Sequence, residues 1–129
     1  MQAFDATLET PAAVRRFLRE TLKTWELDGL GEVTELLTSE LVTNVVLHVG
    51  QPMTVRANRE RPDCFRIEVT DPSDAAPELH RAGPCDETGR GLAIVDSFAD
   101  DWGTRFTDSG KTVWFTIDAT TAAHEVHDA

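Results

Sequence analysis

The fold is decided by the stretch Glu40-Leu-Val-Thr-Asn44, which lies inside a predicted helix from Glu32 to His48. The helix is predicted because apolar residues recur at every fourth position, forming the stripe Val33, Leu37, Leu41 and Val45. Glu40 and Asn44 lie on or beside this stripe and are predicted to face inward. An ionised carboxylate buried without a partner costs several kcal/mol. We therefore expect Glu40 either to pair with an arginine at the rim of the apolar arc or to line a cavity.

The rest of the chain predicts one earlier helix and several strands. A helix over Pro11–Leu22 is indicated by Thr10 as N-cap and by a proline at its first position. Phe4 is placed on a short edge strand before it. Three segments alternate apolar and polar residues and are predicted to be strands, namely those around Met53–Ala57, Phe65–Val69 and Val113–Ile117. Asp101–Phe106 adds another strand after a helix over Gly91–Phe98.

These elements together predict the fold class. Helices segregated against one face of such a sheet make an α+β fold, a two-layer α/β sandwich. The sheet is expected to be mixed and mostly antiparallel, with the helices on one face. Polar residues at the alternate strand positions predict that the other face is largely exposed to water. Trp114 is the apolar exception among them.

Length and charge narrow the classes of function. A chain of 129 residues fits one domain. A net charge of −11 argues against nucleic acid as a partner, because nucleic-acid binders neutralise phosphates with clustered Lys and Arg. No apolar run is long enough for a membrane span and no secretion signal opens the chain, so a soluble, cytoplasmic protein is expected. A nucleotide is compatible with an acidic chain, since backbone N–H groups and a metal ion can hold it locally.

Two further segments carry candidate binding residues. Asp71 follows the predicted strand and lies where the chain leaves the sheet, which is also an ordinary position for a turn aspartate. Gly89-Arg-Gly-Leu92 opens a predicted helix, where backbone N–H groups and the helix dipole favour phosphate, although a simple loop-to-helix junction has the same composition. Arg90 suits a phosphate contact and a solvent-facing position equally. The long, proline-containing stretch between the two segments is typical of a functional lid.

The three segments occur in the order Glu40–Asn44, Asp71–Asp74 and Gly89–Leu92, and Gly110-Lys-Thr-Val-Trp-Phe115 follows them. In this order they resemble the nucleotide site of the histidine-kinase-like ATPase superfamily, whose ATP-binding domain has the Bergerat fold. The compact layout is most similar to small actinobacterial ATP-binding proteins of the anti-sigma-factor serine/threonine kinase type. The resemblance covers residues 4–118 and leaves 119–129 as a tail that is predicted to be disordered.

The resemblance implies a role for each matching residue. Asn44 is implied to hold Mg²⁺ between the phosphates of ATP, with Glu40, one helical turn away, as general base. Asp71 is implied to accept a hydrogen bond from the adenine amino group, with Thr112 beside it on a neighbouring strand to support that contact. The other residues implied in nucleotide binding are Ser73, Gly89, Arg90, Gly91 and Leu92.

The sequence departs from the broad superfamily at two positions after Asp71. Pro72 and Ser73 stand where the broad superfamily has a glycine-rich Asp-x-Gly-x-Gly, and Asp-x-Ser is similar to the actinobacterial branch. His48, one turn beyond Asn44, is expected to be a packing or supporting residue. Lys111 is expected to be solvated.

The function implied by the resemblance is that of a Mg-ATP-binding regulatory protein that phosphorylates Ser or Thr on an antagonist protein. Its partners in such a partner-switching pathway would be a STAS-type anti-anti-sigma protein and a sigma factor. Homodimers are usual in the resembling kinases. The alternative is a catalytically silent, nucleotide-gated interaction module, which binds ATP or ADP and captures a partner without transferring phosphate.

Overall fold

The structure is a computed structural model, and it describes residues 1–73 and 99–118. Within those residues the elements follow one another as β1 (Gln2–Phe4), α1 (Thr10–Thr24), a 3₁₀ helix (Asp28–Leu30), α2 (Gly31–His48), β2 (Met53–Arg61), β3 (Cys64–Asp71), β4 (Asp101–Thr107) and β5 (Gly110–Asp118). The predicted helix over Gly91–Phe98, the predicted lid from residue 74 and the predicted tail lie outside the described residues.

The strands form one five-stranded sheet in the order β1-β2-β3-β5-β4, with helices on one side. The predicted α+β sandwich is thereby confirmed, and every strand pair in the described part of the chain is antiparallel. β1 lies at the edge, as predicted for Phe4. β3 and β5 are neighbours, so the last residue of β3, Asp71, lies opposite Lys111 near the start of β5. This register places two charged residues side by side at one end of the sheet.

The core lies between the inner face of the sheet and the two described helices, which also pack against each other. Burying a large apolar side chain stabilises the fold by roughly 1.5–3 kcal/mol. The side chains that lose nearly all contact with water include Val14, Leu18, Leu22, Leu37, Val42, Met53, Val55, Phe65, Ile67, Val69, Phe115 and Ile117. Neither α1 nor α2 is apolar enough over a sufficient length to cross a membrane.

The start of α1 differs from the prediction. Thr10 is the first helical residue and Glu9 occupies the N-cap position, where no side chain caps the helix. The Thr10 hydroxyl instead donates to the backbone carbonyl of Asp5 and accepts from the backbone N–H of Thr7 at 2.9 Å. Thr10 therefore fastens the segment between β1 and α1, and this explains why a residue with a hydroxyl is buried there.

The outer face of the sheet explains the apolar exception, Trp114. Its ring lies over Gly103 of the neighbouring strand, where an added Cβ would come within 3.0 Å of the indole. The Arg66 guanidinium lies 4.1 Å from the ring centroid and also bonds Glu68 at 3.0 Å. A glycine and a cation thus cover Trp114, so a half-buried indole fits on a face that is otherwise mostly polar.

Candidate functional site

Asp71 is the centre of the candidate site. It is the last residue of β3 and shares the inner face of that strand with Val69, because side chains alternate between faces. Only 3% of the residue is exposed to water. One carboxylate oxygen, Oδ1, accepts two hydrogen bonds, from the Lys111 ammonium at 2.9 Å and from the backbone N–H of Ser73 at 2.8 Å.

The second oxygen of the same carboxylate, Oδ2, is buried and has no hydrogen-bond partner in the part of the chain that the structure describes. Leaving a buried acceptor without a donor costs about 1–3 kcal/mol, and more when the group is charged. Buried polar groups are usually satisfied, so an exception indicates a ligand, a water molecule or strain. Asp71 therefore presents one hydrogen-bond acceptor that is suited to a donor from a ligand.

The expectation that Lys111 is solvated is wrong. Lys111 is only 5% exposed, and its Nζ bonds the buried Asp71 carboxylate. The signal for this position was present in the sequence, since Lys111 is in phase with Val113, Phe115 and Ile117 on the inner face of β5. A lysine at such a position needs an acidic partner, and Asp71 lies directly opposite.

Thr112 lies on the opposite face of the sheet from Asp71. Its hydroxyl is 2.8 Å from that of Thr70, its partner across the β3–β5 pair. The side chain that contacts Asp71 from β5 is therefore that of Lys111, and the support of the adenine contact by Thr112 stays a prediction. Alternation along the strand is the physical reason, because neighbouring residues point to opposite faces.

The segment after Asp71 is held by a local turn. Ser73 donates its backbone N–H to the Asp71 side chain, which is the bond of an Asx turn. Gly110 lies close against this segment with a φ of +152°, and a Cβ there would be 2.0 Å from the Asp71 carbonyl oxygen. Only glycine fits this close approach, so the start of β5 can lie against the turn that carries Ser73.

Glu40 and Asn44 lie one helical turn apart on α2, and both are half-buried rather than part of the core. The fully buried positions of this helix include Leu37, Leu41 and Val45 of the predicted stripe. Glu40 and Asn44 thus lie beside the buried stripe, in agreement with a position at its rim. His48, at the end of α2, is exposed.

The four residues Gly89, Arg90, Gly91 and Leu92 lie outside the described residues, and their phosphate contacts stay a prediction. A cavity of about 350 Å³ lies at the same end of the sheet. Its lining includes Ala3, Thr54 and Thr70 as well as Asp71, but it includes neither Lys111 nor Asn44. Thr54 and Thr70 face each other across β2 and β3 on the outer face, so we do not assign this cavity to the nucleotide.

Comparison with known proteins identifies the family. The model of the histidine kinase-like ATPase domain matches residues 4–117. The chain belongs to this family, and ATP binding is the role that this membership implies.

Two proteins of other organisms are similar to this chain. An uncharacterised protein of Streptomyces coelicolor is 44% identical over 69 residues, which are 50% of this chain and 66% of the relative. The histidine kinase domain of a blue-light activated histidine kinase from Erythrobacter litoralis superposes with a TM-score of 0.58 at 18% identity. That match covers 76% of this chain and 48% of the other. At this identity the structural match supports the fold alone, whereas the family match covers nearly the whole described chain.

Proposed function

We propose that this protein binds Mg-ATP as a regulatory protein and transfers the γ-phosphoryl group to Ser or Thr of a partner. The observation that carries the nucleotide part is the buried carboxylate of Asp71, whose Oδ2 has no donor among the described residues. In this proposal the adenine amino group supplies that donor. Guanine carries a carbonyl oxygen at the same ring position, which would face Oδ2 as a second acceptor.

The residues of α2 suit the phosphate and metal end of such a ligand. The side chain of Asn44 ends in an amide oxygen, a hard ligand of the kind that Mg²⁺ takes while keeping several waters and phosphate oxygens. The described residues contain no cluster of three or more His, Cys, Asp or Glu side chains able to hold a metal. In this proposal the ion is held jointly by Asn44 and the nucleotide phosphates. The ion would neutralise charge on those phosphates when bound.

Glu40 is our candidate for the general base. It lies one helical turn before Asn44 on the half-buried side of α2. There it would accept the proton of the attacking serine or threonine hydroxyl as the bond between that oxygen and the γ-phosphorus forms and the bond to the ADP oxygen breaks. The proposed acceptor is a STAS-type anti-anti-sigma protein, with a sigma factor as the second partner.

Two substitutions on α2 test the binding and transfer roles separately. Asn44→Ala is expected to abolish Mg-dependent ATP binding, because the amide oxygen is lost. Glu40→Gln is expected to retain ATP binding and to reduce phosphoryl transfer by roughly 100-fold or more, because the proton acceptor is lost. Binding is measured by calorimetric titration, and transfer by the γ-labelled phosphate that appears on purified STAS-domain proteins.

Matched controls come from the same chain. Asn58→Ala, on β2, and Glu32→Gln, at the exposed start of α2, are expected to change neither readout. Transfer by Glu40→Gln at the wild-type rate would contradict the assignment of the base. ATP binding by the wild-type protein without transfer to any STAS-domain protein would favour the nucleotide-gated interaction module.

A further inference from the structure

The ion pair between Asp71 and Lys111 is buried, and the proposed contact of Asp71 with adenine does not by itself explain why a lysine is buried beside it. Both side chains are almost completely buried, with exposures of 0% for Asp71 and 7% for Lys111. A buried charge without its partner is strongly unfavourable, so each charged group here depends on the other. The two residues are 40 positions apart in the sequence and meet only through the β3–β5 pairing.

The two carboxylate oxygens of Asp71 have different surroundings. Oδ1 is occupied by the Lys111 ammonium and the Ser73 backbone N–H, whereas Oδ2 has no donor in the described chain. An ionised carboxylate only accepts hydrogen bonds, but a protonated carboxyl group can also donate one. A carboxylate at this position therefore needs a donor from the ligand at Oδ2, whereas a neutral carboxyl group could also face an acceptor.

We propose that Lys111 determines the base specificity of this site, because it holds Asp71 as an ionised, acceptor-only group whose Oδ2 selects a 6-aminopurine over a 6-oxopurine. This inference rests on the proposed binding of ATP at Asp71. An oxopurine in the same position places its carbonyl oxygen against Oδ2 with no proton between them. An oxopurine does carry an N–H at ring nitrogen N1, beside the 6-oxo group. This N–H can reach Oδ2 only if the whole base moves sideways from the position that adenine takes.

Loss of the lysine charge should relax this selection. A buried carboxylate without a cation becomes neutral by binding a proton. The neutral Asp71 side chain could then donate to a 6-oxo group as well as accept from a 6-amino group. Lys111 thus acts on the ligand through Asp71, as a positioning and specificity-determining residue.

The test compares the affinities of ATP and ITP, which share ribose and phosphates and differ at the purine edge. The wild-type protein is expected to bind ATP at least about tenfold more tightly than ITP, since a mismatched buried acceptor is costly. In Lys111→Met, which keeps the side-chain length without the charge, this ratio is expected to fall to about threefold or less. The matched control is Arg105→Met, which removes an exposed cation from the neighbouring strand opposite Thr112 and should keep the wild-type ratio.

A second variant guards against the misfolding of Lys111→Met. Lys111→Gln retains an N–H donor toward Oδ1 but lacks the charge, so its ATP-to-ITP ratio should also fall. The inference is overturned if a folded Lys111 variant keeps the wild-type ratio, or if the wild-type protein binds both nucleotides equally. The ratio of the two affinities is informative because a general loss of protein stability lowers the affinities for ATP and ITP together. Failure of the wild-type protein to bind ATP at all would instead overturn the proposed function.

Discussion

At the scale of single residues, the candidate site depends on the ion pair between Asp71 and Lys111, and only Asp71 was predicted from the sequence as a site residue. Asp71 was predicted to lie where the chain leaves a strand, and the structure places it there, whereas its role toward adenine was implied by the family resemblance. Lys111 was missed because a lysine was assumed to be solvated, although its position in the alternation of β5 puts it on the inner face. Asp71 compensates the buried charge of Lys111. Local sequence pattern does not predict this partner, because the pairing of β3 with β5 brings the two residues together.

The buried hydroxyl groups of Thr34 and Thr38 on α2 allow a prediction about stability. The Oγ1 atoms of Thr34 and Thr38 on α2 are buried without a hydrogen-bond partner in the described structure. Thr38→Val removes one such hydroxyl at similar volume and similar helix propensity. We expect it to raise the free energy of unfolding by about 1 kcal/mol, measured by urea denaturation, since the buried hydroxyl gains nothing from the fold.

Thr112→Val is the matched control for Thr38→Val. Its hydroxyl is also buried, but it is bonded to Thr70 at 2.8 Å. The same chemical change should therefore lower the free energy of unfolding, by about 1 kcal/mol. If both variants change the free energy of unfolding in the same direction, the difference in hydrogen bonding between Thr38 and Thr112 does not determine the effect of the substitution.

At the scale of elements, periodicity predicted most of what the structure shows. β2, β3 and β5 follow from strict alternation, and α2 begins at Gly31, one residue before the predicted start, and ends at His48 as predicted. The start of α1 was misassigned because the Thr10 hydroxyl has a tertiary use toward Asp5, which local capping rules do not include. The order of the strands was also beyond local pattern, since β3 pairs with β5 rather than with its successor in the chain.

The junction between β3 and β5 yields a prediction of its own. Gly110→Ala puts a Cβ against backbone atoms of Asp71 and Pro72 at a φ that other residues rarely adopt. We expect a loss of about 2 kcal/mol or more in the free energy of unfolding, together with weaker ATP binding, because the turn after Asp71 must move. Thermal unfolding and calorimetry measure the two effects.

Gly29→Ala provides the comparison for Gly110→Ala. A Cβ at Gly29, in the 3₁₀ helix, would meet no atom within 4 Å. It should leave stability within about 0.5 kcal/mol of the wild-type value and leave ATP binding unchanged. Equal effects of the two substitutions would show that the contact of Gly110 with the Asp71 turn is not important.

At the scale of the whole molecule, the family assignment rests on a match along the chain, and the candidate site rests on the register of the sheet. The family model spans nearly the whole described chain, and the described sheet brings Asp71 and Lys111 together at one end. The acidic composition argues against nucleic acid as a partner but is compatible with a nucleotide, because local donors and acceptors can hold a nucleotide. The periodicity of the sequence was enough to predict the α+β sandwich. The contacts around Asp71 could be known only from the register of β3 and β5, which the structure shows.

The most direct test of the central claim is calorimetric titration of the wild-type protein with ATP and with GTP, each with and without Mg²⁺. We predict saturable, Mg-dependent binding of ATP that is at least about tenfold tighter than that of GTP, because the proposed acceptor at Asp71 faces the 6-position of the purine, where adenine has an amino group and guanine a carbonyl oxygen. Absence of ATP binding, or equal binding of ATP and GTP, would contradict the assignment of Asp71 as the residue that recognises adenine.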